Sequence, residues 1–69
     1  FVNLAMKGVD LENGQNSYQL FNYQGKLIQQ NNIEEDHTEI NLSHLSSSIY
    51  LLEVFVENKI WKTFKILKN

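Results

Sequence analysis

Histidine and acidic side chains are the residues of this chain that metal chemistry would use first. His37 and His44 are the only histidines, they are seven residues apart, and the sequence contains no cysteine. A zinc site needs roughly three or four converging ligands, and no spacing here supplies them. The acidic run 34–36 lacks the alternating acidic spacing that presents oxygen atoms to calcium. We therefore expect exposed loop side chains and no metal site.

Serine and carboxylate chemistry is equally poorly supported. Ser43 and residues 46–48 are not part of a G-x-S-x-G turn or of an ordered Ser, His and Asp set. The carboxylates at 34–36 have no neighbouring apolar segment that would separate their pKa values for acid–base work. The chain also lacks a glycine-rich phosphate loop. We expect no catalytic residues, no cofactor and no enzyme activity.

Aromatic and basic side chains offer binding chemistry instead. Four aromatic residues could form a platform for stacking sugar rings, although strand aromatics more often pack in a core: Tyr18, Phe21, Tyr23 and Trp61. Four lysines fall in the last eleven residues: Lys59, Lys62, Lys65 and Lys68. They make a thin patch for an anionic surface, and a net charge of −2 disfavours nucleic acid as a partner.

The bulk properties predict one small domain. The chain has 69 residues, of which 42% are apolar, so its core must be thin. No apolar run approaches the ~18 residues of a membrane helix. Phe1 begins the chain without a signal-peptide pattern, so we expect a piece of a longer protein.

Alternating apolar and polar residues predict six or seven short strands in an antiparallel β-sandwich or small barrel. The clearest segments are residues 1–7, 17–23, 26–30, 37–42, 49–57 and 60–67. Asn22 and Gly25 occupy the first and fourth positions expected of a type I turn that closes a hairpin. Segments 31–36 and 43–48 are predicted loops. The near-continuous apolarity of 49–57 predicts a central strand covered on much of both faces.

The last segment also fits a second pattern. Trp61, Phe64 and Leu67 recur every three residues with lysines between them, as in a basic amphipathic helix. The segment is nevertheless rich in β-branched and aromatic residues and lacks an N-cap residue. A strand is therefore the better prediction.

Four motifs in a fixed order resemble a known family. Residues 18–28 (YQLFNYQGKLI) resemble its strand, Asp-or-Asn turn, glycine and return strand, and residues 40–46 (INLSHLS) resemble its INLSNLS segment. Residues 48–54 (SIYLLEV) resemble its GIYLLKV strand, and residues 65–69 (KILKN) are similar to its closing KIIKN. The family is the type A C-terminal sorting domain of the type IX secretion system of Bacteroidetes.

Two departures from the family accompany this resemblance, which spans residues 17–69. Ser48 stands where the family has glycine, which removes backbone freedom at that position. The PNP box expected before the first strand is missing, and the chain contains no proline. We therefore expect a single sorting-type domain over residues 1–69 that is truncated at its N-terminal edge.

The resemblance implies an immunoglobulin-like β-sandwich at the end of a larger exported protein. Its partners would be the upstream cargo of the same chain, the secretion-system translocon or its shuttle, and a cell-surface sortase. The cargo would enter the periplasm by an N-terminal signal and then cross the outer membrane. It would finally be attached to anionic lipopolysaccharide at the cell surface or be secreted.

The resemblance also suggests where recognition occurs. Seven positions are the candidates: Ile49, Tyr50, Leu51, Lys65, Ile66, Leu67 and Lys68. Tyr50 is expected to anchor the core, and the 65–68 strand is expected to supply the contact surface, or an open edge for β-augmentation. Two alternatives remain, namely an accessory module that binds carbohydrate or surface polysaccharide, and a structural spacer. An exposed aromatic platform would favour the binding module, whereas continuation of the precursor past Asn69 would favour the spacer.

Overall fold

The computed structural model describes residues 2–69; Phe1, which belongs to the first predicted strand, lies outside them. This part of the chain forms six strands and a short 3-10 helix at Leu11–Asn13. The strands are β1 (Val2–Ala5), β2 (Ser17–Asn22), β3 (Leu27–Asn32), β4 (His37–Ile40), β5 (Ser48–Val56) and β6 (Lys59–Lys68). They build two antiparallel sheets, β1-β4 and β3-β2-β5-β6. The all-β, sandwich-like prediction is confirmed.

The core lies between the two sheets and is built from alternate residues of the strands. Leu20, Ile40 and Val54 are fully buried at its centre. The other buried apolar residues are Leu4, Met6, Tyr18, Ile33, Leu42, Tyr50 and Leu52. Met6 lies beyond the end of β1, and its backbone N–H donates to the carbonyl oxygen of Asp36 at 2.8 Å. This bond extends the attachment of the β1 end to the segment before β4.

β5 lies inside the larger sheet, between β2 and β6, but the prediction that both of its faces are covered is wrong. Tyr50 and Leu52 point into the core, whereas Ile49 and Leu51 on the opposite face are 39% and 40% exposed. The two-stranded sheet covers one face of the larger sheet. Within residues 2–69, no other strand layer covers the second face.

β6 is a strand, so the amphipathic-helix alternative is wrong. Nine of its residues pair with β5, from Lys59 to Lys68. The register shifts after Val54, which leaves Trp61 as the extra residue of a β-bulge. A helix would satisfy only its own backbone groups, whereas this strand also completes the hydrogen bonding of β5 on that side.

Two predicted loop boundaries also move. Asn31 and Asn32 extend β3 because they pair with Tyr18 and Ser17, and Ser48 begins β5 opposite Lys68. Conversely, β4 ends at Ile40 although Leu42 is still buried. Pairing with a neighbouring strand, which the local sequence does not record, sets these ends.

The β2–β3 hairpin turn is built by Asn22 and Gly25. The N–H of Gly25 donates to the carbonyl oxygen of Asn22 at 2.9 Å. The Asn22 Oδ1 atom accepts hydrogen bonds from the backbone N–H groups of Gln24 and Lys26, both at 2.9 Å. Gly25 has φ of +83°, a conformation that costs a residue with a Cβ atom about 1–2 kcal/mol.

We therefore expect Gly25→Ala to lower the free energy of unfolding by about 1 kcal/mol. No atom lies within 4 Å of an added Cβ, so the cost is conformational rather than steric. Urea denaturation followed by circular dichroism measures it. The exposed neighbour Gln24, changed to alanine, is the control and should shift stability by less than about 0.5 kcal/mol. Equal stability of Gly25→Ala and wild type would contradict the assigned turn strain.

Candidate recognition surface

The register of β5 and β6 brings the two candidate recognition segments together. Ile49 pairs with Leu67, Tyr50 with Ile66, and Leu51 with Lys65. Because paired residues share a face and neighbours along a strand alternate, this register divides the candidates between two faces.

Tyr50 and Ile66 belong to the inner face. The Tyr50 side chain is 4% exposed, and its hydroxyl donates a hydrogen bond to the carbonyl oxygen of Ser46 at 2.7 Å. Ile66 packs against the core cluster. A partner docking on the outer face would therefore meet neither the Tyr50 ring nor the Ile66 side chain directly; these two residues support the strands.

Lys68 also lies on the inner side and is engaged within the domain. Its ammonium donates to the carbonyl oxygen of Ser43 at 3.4 Å and to that of Leu45. Leu45 itself packs against the core. Lys68 thus connects the end of β6 to the crossing segment before β5, instead of extending its charge towards solvent.

The other four candidates share the outer face. Ile49 and Leu51 are about two-fifths exposed, Leu67 is 69% exposed, and Lys65 is exposed beside Leu51. A contiguous apolar surface of this kind commonly marks an interaction site. These residues can bury apolar area against a partner, with one cation available to orient it.

Two residues outside the seven recognition candidates extend this surface. Phe21 of β2 pairs with Leu51 on one side and with Leu27 of β3 on the other. Leu27 is 40% exposed. The available signal was the adjacent apolar pair Leu20-Phe21, because neighbours in a strand cannot both face one core. We call the six residues together the outer patch: Phe21, Leu27, Ile49, Leu51, Lys65 and Leu67.

The four aromatic residues considered for sugar binding are separated. Tyr18 is 3% exposed, and its hydroxyl accepts hydrogen bonds from Gln29 Nε2 at 3.1 Å and Asn31 Nδ2 at 3.3 Å. Phe21 lies on the opposite face of the same strand. Trp61 packs against the core, with the Lys62 ammonium 4.6 Å from its ring centroid. These side chains therefore do not form one exposed platform.

The histidines and acidic residues lie on exposed segments. His37 Nδ1 is 3.5 Å from Asp36 Oδ1, and both side chains are about three-quarters exposed. His44 lies on the separate segment between β4 and β5. Within residues 2–69, no three His, Cys, Asp or Glu side chains group closely enough to hold a metal ion. The part of the chain described by the structure contains no helix long and apolar enough to cross a membrane.

Comparison with known proteins gives one match. A family model described as a secretion system C-terminal sorting domain matches residues 1–69, the whole chain. No curated protein and no solved structure matches significantly. The family is the one that the four sequence motifs resemble. The chain therefore belongs to the secretion system C-terminal sorting domain family, whose members are the sorting signals of type IX secretion.

Proposed function

We propose that this domain directs an attached cargo through the type IX secretion system, across the outer membrane, to the cell surface. The cargo would reach the periplasm first, where the translocon or its shuttle recognises the folded domain. A surface sortase would then remove the domain and anchor the cargo. The coarse role, a sorting signal for type IX secretion, follows from family membership; the route and the anchoring are the proposal.

The observation that carries the proposal is the arrangement of the two family-like motifs on adjacent strands. Residues 48–54 and 65–69 pair through the β5–β6 register and expose Ile49, Leu51 and Leu67 on one face. Burying exposed apolar area contributes roughly 25 cal/mol per Å². A receptor that covers the outer patch therefore has a source of affinity that needs no pocket.

We assign contact with the machinery to the outer patch and a supporting role to the inward candidates. Lys65 supplies a charge beside Leu51, and charge complementarity at such a position mainly governs orientation and association rate. Tyr50, Ile66 and Lys68 are engaged on the inner side, with the core and with the segment before β5. Recognition would thus depend on the folded sheet rather than on an isolated C-terminal peptide.

The test is a reporter fusion. Residues 1–69 are placed after a periplasmic signal peptide and a fluorescent protein, in a host with a working type IX system and in its translocon-deletion twin. We expect fluorescence outside the first strain and in the periplasm of the second. The same reporter without residues 1–69 is the control and should stay in the periplasm of both. Periplasmic retention of a folded fusion in both strains would contradict the export role.

A further inference from the structure

The two sheets differ in width, and this leaves the inner side of β6 incompletely covered. Two strands spaced about 4.8 Å apart cannot span four strands with the same spacing. Phe64 shows the consequence. It pairs with Leu52, which is 1% exposed, and so faces inward; yet Phe64 itself is 38% exposed.

A groove of about 390 Å³ occupies this uncovered region, between β1 and β6. All four residues of β1 line it, as do four residues of β6 between Lys62 and Ile66. Leu52 of β5 also lines it. The groove therefore lies between β1 of the smaller sheet and β6 of the larger sheet, and apolar side chains line it.

The walls of this groove are strand edges. Neighbouring residues of a strand point to opposite faces, so a groove that touches only side chains contacts alternate residues. Here the consecutive residues 2–5 and 64–66 all line it. Consecutive contact of this kind places the main chains of β1 and β6 at the groove.

Both edges have unused hydrogen-bonding capacity. Within residues 2–69, β1 pairs only with β4, and β6 only with β5. Among the described residues, no further backbone–backbone hydrogen bond involves either strand. A strand edge of this type can accept an added strand, which would satisfy its N–H and C=O groups. The bulge at Trp61 leaves residues 62–68 of β6 in continuous register.

The lining also favours one type of sequence for the added strand. Phe64, Leu52 and Leu4 give the groove an apolar interior, and the charged residues in its described lining are Lys62 on the inner face and Lys65 on the outer face. We propose that the groove between β1 and β6 binds an extended segment of a partner protein in which apolar and acidic side chains alternate. The apolar side chains lie against Phe64 on the inner face, and the acidic ones, on the opposite face of the added strand, lie beside Lys65.

This interaction goes beyond the proposed export role. The groove opens on the inner side of the larger sheet, and Lys65 is the one described residue that it shares with the outer patch. Peptide binding by the purified domain can therefore be tested without any secretion, and either activity can fail while the other is retained.

The test uses a fluorescein-labelled peptide of about seven residues that alternates valine and glutamate, long enough to span residues 62–68. The control peptide alternates valine and lysine. We expect the glutamate peptide to bind the domain at least about tenfold more tightly at low salt. Amide hydrogen exchange should slow in β1 or β6 and remain unchanged in β3, the other edge of the larger sheet.

Two matched variants test the charge. Lys65→Glu should weaken binding of the glutamate peptide about fivefold. Lys59→Glu changes the same charge on the same strand outside the groove and should leave binding unchanged. Thermal unfolding of both variants checks the fold. If Lys65→Glu does not fold, the comparison of the two peptides on the wild-type domain decides the question.

Four results would overturn the proposal. The first is equal affinity for the two peptides, and the second is slowed exchange in β3 instead of β1 or β6. The third is concentration-dependent protection of the groove amides without peptide, which would assign the groove to a second copy of this chain. The fourth is protection of the same amides by preceding residues in a longer precursor, which would assign it to the chain itself.

Discussion

Replacing Tyr50 by alanine is expected to lower the free energy of unfolding by about 3–5 kcal/mol. The ring is 4% exposed in the core, and its hydroxyl donates to the Ser46 carbonyl oxygen at 2.7 Å. A domain of 69 residues has a total stability of about 3–10 kcal/mol. The variant should therefore be largely unfolded under mild denaturing conditions, as measured by urea denaturation with circular dichroism.

Tyr50→Phe is the matched control, because it keeps the ring and removes only the hydroxyl. We expect it to lose about 1 kcal/mol, the net value of one hydrogen bond. The difference between the two variants then measures ring packing alone. An unfolding midpoint of Tyr50→Ala equal to that of the wild type would rule out an anchoring role for the ring.

Leu67→Glu is expected to reduce export of the reporter fusion about tenfold or more while leaving the fold intact. Leu67 is 69% exposed, so a charge there costs little folding free energy, usually less than about 0.5 kcal/mol. In the complex with the secretion machinery, the same charge would be buried against an apolar surface without a partner. Secreted and periplasmic fluorescence, measured in one culture, gives the exported fraction.

Ile60→Glu provides a closely matched control. Ile60 is 61% exposed on the same strand and, through its pairing with Phe55, on the same face. It lies seven residues from Leu67, at the far end of β6 from the outer patch. We expect normal export of Ile60→Glu and melting temperatures of both variants close to that of the wild type. Equal export of the two variants would exclude the outer patch as the contact surface.

Much of the fold could be predicted from alternation alone. The pattern of residues 17–23 and 49–57 identified β2 and β5 to within one residue, because one face of each strand is buried. The Asn22 to Gly25 segment marked the turn because only a few residue types suit its geometry. Periodicity cannot indicate the role of the domain; the family motifs indicated that it is a sorting domain.

The sequence could not show which face of β5 is covered by the domain itself and which is left exposed. Apolar residues on both faces of a strand indicate that both faces avoid water, but not whether the chain itself or another molecule covers them. Here Tyr50 is covered by the domain, while Leu51 is left exposed. The sequence therefore predicted cover for the outer face of β5 that the domain does not provide; Phe21 was considered only for sugar stacking, and Leu27 was missed.

The strand ends and the groove depend on tertiary contacts that no local pattern records. Asn31 and Asn32 suit a loop by composition, yet they form strand pairs with β2. The groove arises from the unequal number of strands in the two sheets. That number follows from long-range pairing, such as that of Val2 with Ile40, rather than from any single segment.

The position of β6 in the chain decides when the outer patch can be completed during synthesis. β6 is the last strand of the domain, and it supplies Lys65 and Leu67 to the outer patch. When a polypeptide emerges N-terminus first, these residues reach β5 only after the rest of the domain has appeared. A chain stalled or cleaved before β6 presents an incomplete patch.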